Sequence, residues 1–109
     1  MGLDQYSYYR QPDTISGLTE IHYWRKHYTI HDWMEKLWES KGGSGSFNCV
    51  VLDLNAQDID ALELHMKQKD FYRDDPDYAE WRMKDDLKFI NSARECFEAD
   101  LGVVYDSWY

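Results

Sequence analysis

The stretch "HYWRKHYTIHDWMEKLW", residues 22–38, changes its period part-way along and so decides where a strand gives way to a helix. Up to Trp24 the residues alternate: Leu18, Glu20, His22 and Trp24 share one face, and Thr19, Ile21 and Tyr23 the other, the pattern of an extended strand. From Ile30 the apolar residues fall at Ile30, Trp33, Met34, Leu37 and Trp38, spaced i, i+3, i+4, i+7, i+8, which makes one broad helical face. Thr29 is suited to cap that helix, with Asp32 able to return a bond to the cap amide, so the helix is expected from about Ile30. Ser40, Lys41, Gly42 and Gly43 end it, and GGSGS at 42–46 is a flexible connection.

Beyond this connection, Phe47 to Leu54 (FNCVVLDL) is a short apolar run of β-type, expected to be the central strand. Asn55 and Asp58 repeat the cap-plus-acid pattern, and Ile59, Leu62 and Met66 mark the face of a second helix reaching about Lys69. Asp75-Pro76 is expected to open a third helix, with a stripe of Met83, Leu87, Ile90, Arg94 and Phe97 and a stop at Gly102 after Leu101. Val103 to Trp108 reads as a C-terminal strand. Residues 1–17 are polar, carry Tyr6, Tyr8 and Tyr9 and hold the breakers Pro12 and Gly17, so they read as an arm preceding the domain.

The resulting expectation is one small α+β domain over residues 18–109, in the order β-α-β-α-α-β. Its three-stranded mixed sheet would carry helices packed on one face. A right-handed first crossover would make strands one and two parallel. With 109 residues, 43% of them hydrophobic, the chain is large enough for one core without disulfides. The net charge of −9 opposes phosphate backbones, which disfavours non-specific nucleic-acid binding. No run of eighteen apolar residues and no leader pattern is visible, so no membrane association is expected. Cys49 and Cys96 fit no metal or redox motif and read as two buried thiols of a reducing compartment.

Several separated blocks carry a resemblance: YWRKH at 23–27 with the following HDWMEKLW, FNCV at 47–50, DDLKFINSARE at 85–95 and VYDSWY at 104–109. Together they resemble a family of small uncharacterised proteins of tailed bacteriophages, cyanophages among them. The likeness covers about residues 20–55 and 84–109; the acidic stretch at 69–84 departs from it. It implies a phage protein acting in the host cytoplasm and supplies no catalytic residues.

Among candidate sites, the strongest is an anion site at Arg25, Lys26 and His27, flanked by Trp24 and His31, because free amides at a helix N-terminus and adjacent cations attract phosphate or carboxylate. Its bland counterpart is a solvated basic turn. His22, His27 and His31 are near in sequence, but a Thr29 cap leaves His27 outside the helix and removes the i, i+4 pair that a metal site would use, so no metal and no cofactor is expected. A partner surface is the second candidate, built from Asp74, Asp75 and Asp77 with Tyr105 and Trp108. No nucleophile motif is present. The reading is therefore a small phage accessory binding protein. It would engage an anionic small molecule of nucleotide or phosphate type, or a host protein, as a means of inhibiting host defence or metabolism. A small enzyme acting on a phosphorylated or nucleotide substrate is the alternative. A homodimer is one assembly that a small open sheet allows.

Overall fold

The structure, a computed structural model, describes residues 2–11, 18–68, 70–73 and 76–109. Its elements are β1 (Asp4–Arg10), β2 (Leu18–Arg25), α1 (Tyr28–Ser40), β3 (Leu52–Leu54), α2 (Ala56–Met66), α3 (Ala79–Glu98) and β4 (Gly102–Trp108). The α+β class and the packing of three helices with a sheet are as expected. The sheet has four strands rather than three, in the order β2-β1-β4-β3, and every pairing is antiparallel. The expected parallel pair does not exist, since β2 and β3 are the two edges.

The additional strand is β1, which lies in the stretch expected to be an arm and pairs on both sides, with β2 and with β4. The reason it is hidden in the sequence is the polarity of its inward positions. Gln5 and Ser7 point into the protein and are fully buried, while Tyr6 and Tyr8 take the alternate, outer positions. Ser7 Oγ donates to the Val104 carbonyl at 2.8 Å, so the buried hydroxyl is satisfied within the sheet. The rest of the arm, residues 12–17, lies outside the described residues.

The core lies between this sheet and the three helices: Trp24, Val103 and Tyr105 from the strands meet Ile30, Met34, Leu62, Phe89 and Ile90 from the helices. β3 is short and at an edge, not central, because Cys49 takes a left-handed backbone (φ 61°) and its amide bonds the Ser107 carbonyl at 2.8 Å. The chain from Phe47 is thus folded across the end of β4 before it can extend. Phe47 is still fully buried, its ring 6.0 Å from that of Tyr105, whereas Cys49 is exposed rather than a buried thiol. Cys96 is buried, as expected.

α2 carries the predicted capping box, with Asp58 N–H donating to Asn55 Oδ1 at 2.8 Å and Asn55 N–H to Asp58 Oδ2 at 3.0 Å, and it ends at Met66, before the expected Lys69. α3 starts at Ala79 rather than at Pro76, which lies in a turn; the proposed cap, Asp75, is outside the described residues. The buried line of α3 is Asp86, Phe89, Ile90, Ala93 and Cys96, rotated from the expected stripe by a residue, and Arg94 instead reaches out to Asp60 and Glu63 at 2.9 and 3.0 Å. Gly43 answers a steric need after α1, since a Cβ there would stand 2.2 Å from the Trp38 ring.

Candidate functional site

The burial of Asp86 on α3 explains why that helix stripe is displaced. Asp86 is completely buried, and its carboxyl oxygens accept from Trp24 Nε1 (2.8 Å), from the Tyr72 hydroxyl (2.7 Å) and from His27 Nε2 (2.8 Å). Three donors converge on one carboxyl, which is how a buried acid is tolerated. Burial and then the Asp86 charge push the Tyr72 hydroxyl well above the usual phenol range, so it stays a donor.

From His27 the polar chain continues through its backbone. Gln5, from β1, accepts the His27 amide on Oε1 at 2.8 Å and donates from Nε2 to the His27 carbonyl at 3.0 Å. A backbone N–H can only donate and a carbonyl can only accept, so these two bonds fix the orientation of the Gln5 amide. The same Nε2 also donates to the Tyr105 hydroxyl at 3.1 Å. The Tyr105 hydroxyl also lies 2.8 Å from His31 Nδ1, a hydrogen bond whose donor is set by the imidazole tautomer. Burial lowers the His31 pKa below the ordinary imidazole value, against the smaller opposing pull of Glu35 and Asp32, and so favours the neutral ring.

His31 forms part of the wall of a cleft of about 360 Å³ together with Gly2, Leu3, Tyr28, Glu35 and Tyr109. Tyr28, His31 and Glu35 stand at i, i+3 and i+7, one face of α1. The helix begins at Tyr28, not Ile30, because Gln5 caps the His27 amide from another strand, and Thr29 lies within the first turn. No side chain of the N-cap residue bonds the first-turn amides and no acid stands in that turn, so the positive end of the α1 dipole opens beside the cleft. Lys26 precedes it in a left-handed conformation (φ 54°), held by its amide bond to the Leu3 carbonyl at 2.8 Å. Its side chain runs along Gly2, where a Cβ would stand 2.9 Å from Lys26 Cε, and Gly2 itself lines the cleft.

Of the five residues expected to bind an anion, the structure therefore separates two groups. Trp24 and His27 are buried and committed to Asp86, while Arg25 and Lys26 are exposed and His31 is on the cleft. The three nearby histidines have three different partners, His22 with Asp85, His27 with Asp86 and His31 with Tyr105. Among the described residues no group of three or more His, Cys, Asp or Glu side chains could hold a metal ion. On the expected partner surface, Trp108 and Asp77 are exposed but Tyr105 is fully buried and belongs to the core; Asp74 and Asp75 lie outside the described residues. No helix is long and apolar enough to cross a membrane among the described residues.

Sequence reasoning missed Gln5, Tyr72 and Asp86, which carry the buried polar chain, and Glu35 and Tyr28 on the cleft. The Tyr28, His31, Glu35 spacing was a visible signal, a polar stripe beside the apolar one. No family model matches the chain, and neither the curated proteins nor the solved structures contain a match.

Proposed function

We propose that this chain is a small binding protein that takes an anionic small molecule in the cleft beside His31. The observation that carries the reading is the contact between His31 Nδ1 and the Tyr105 hydroxyl in the wall of the cleft: with Tyr105 as the donor, Nε2 keeps the imidazole proton and the group it meets is a hydrogen-bond acceptor. Lys26, packed along the cleft residue Gly2, and the first turn of α1, which holds no acid, add positive potential on the same side, which favours a carboxylate or phosphate. Glu35, one helical turn beyond His31, favours a hydroxyl or amino group at the other end of the ligand. The tyrosine walls and Leu3 suit an apolar or ring-shaped body between them.

The alternative of an enzyme on a phosphorylated substrate needs a base, and His31 would serve as one only in the opposite tautomer, with Nε2 unprotonated. A role as a phage accessory factor in the host cytoplasm rests on the sequence resemblance. The test is an NMR titration of the labelled protein with inorganic phosphate, benzoate and nucleoside monophosphates. Binding at the cleft shifts the amides of Tyr28, His31 and Glu35, and the shifts disappear in Lys26→Ala and His31→Phe. Conversion of any bound nucleotide during the titration would replace the binding reading with the enzymatic one.

A further inference from the structure

The sheet face turned away from the helices presents aromatic rings set among carboxyl groups. Register places Tyr23, Tyr6 and Asp106 side by side on β2, β1 and β4, and Glu20, Tyr8, Val104 and Asp53 in the adjoining row. The Tyr6 ring lies 5.2 Å from that of Tyr23 and 5.9 Å from that of Tyr8. None of these three tyrosines belongs to the core, and Tyr23 (43%) and Trp108 (61%) are well exposed.

Its charge is one-sided. Asp4, Glu20, Asp53 and Asp106 stand on it against Arg10 and Arg25, and Arg10 is already paired with Asp53 at 3.5 Å. Asp106 Oδ1 is buried and has no hydrogen-bond partner among the described residues. Burial raises the pKa of Asp106, and burial followed by the Asp106 charge raises that of Tyr8, as in a desolvated acid that no cation has reached.

We propose that this face docks a basic protein segment, whose arginines stack on Tyr6, Tyr8 and Tyr23 and pair with Glu20 and Asp106. Guanidinium groups suit both parts of the surface, since they lie flat on aromatic rings and bond carboxylates in pairs. The net charge of −9 draws a cationic partner from a distance and repels nucleic acid, which would otherwise be a natural ligand for aromatic rings on an open sheet. This surface is independent of the His31 cleft.

The probe is an Arg-rich peptide, compared with the same peptide carrying citrulline in place of arginine, titrated into the labelled full chain. The expected result is a set of shifts confined to Tyr6, Tyr8, Tyr23, Glu20 and Asp106, weaker by about tenfold with the citrulline peptide and weaker again at high salt. Glu20→Gln, an exposed substitution that leaves the core intact, lowers the affinity, and adding Asp106→Asn lowers it further. Equal binding of the two peptides overturns the proposal, as do shifts centred on the helices. Stronger perturbation of the same rings by single-stranded RNA, or a dimer in sedimentation that closes over this face and excludes the peptide, would also overturn it.

Discussion

His31 Nδ1 and the Tyr105 hydroxyl stand 2.8 Å apart in a buried hydrogen bond, and this contact joins the cleft to a polar chain that runs through Gln5 to the backbone of His27. A buried strand and the first turn of a helix thus set the chemistry of one imidazole.

Replacing Tyr105 with Phe breaks that chain at its centre. The buried Nδ1 loses its partner, and the cost is expected at about 1–3 kcal/mol, visible as a lower urea midpoint. Nitrogen-15 spectra of the imidazole report the tautomer directly: the wild-type His31 shows the Nε2-protonated form, and the variant shows a mixture. An unchanged tautomer in the variant would show that Tyr105 does not set it.

Removing the acid at the other end is more severe. Asp86→Ala leaves the Trp24, Tyr72 and His27 donors without their acceptor in the core, and a loss of about 3–5 kcal/mol follows from breaking a buried hydrogen-bonded charge. Thermal or urea unfolding measures it. A loss below 1 kcal/mol, about the size of a surface ion pair, would mean that these bonds are replaced by water.

The lowered pKa of His31 has a defined sign in stability. The unfolded chain takes up this proton near pH 6.5 and the folded chain only at lower pH, so the contribution is complete above about pH 6.5 and is lost as pH falls through the folded value. Unfolding midpoints should drop over that acid interval in the wild type, and less in His31→Phe. An equal drop in both would assign the pH dependence to other groups.

At Lys26 stability and binding are expected to separate. A residue with a side chain at φ 54° is strained, and glycine removes the strain at a comparable entropic cost, so Lys26→Gly is expected within about 1 kcal/mol of wild type. Its affinity for phosphate or benzoate should nevertheless fall. Loss of stability well beyond that range would mean that the lysine stem along Gly2 is a packing element.

Asn55→Ala tests the one capping box read correctly from sequence. Loss of the bond from the Asp58 amide to the Asn55 side chain at the start of α2 is expected to cost about 1 kcal/mol in the unfolding free energy, with no effect at the cleft. A coupled loss of cleft binding would show that α2 positions the site.

The sequence alone determined those elements whose information is local. The strand ending near Trp24, the apolar stripe of α1, the capping box of α2, the long third helix and the final strand all rest on periodicity or on a cap two or three residues away. Local rules failed where a residue's partner is distant in the chain. Gln5 and Ser7 make β1 look like a surface arm because their hydrogen bonds go to β4 and to the turn before α1, and Gln5 rather than Thr29 decides where α1 starts. Asp86 likewise reads as solvent-facing until Trp24, Tyr72 and His27 are brought to it. Tertiary structure therefore decided the central strand, the sheet order and the character of His31, because buried polar groups are placed by partners that no short window of sequence contains.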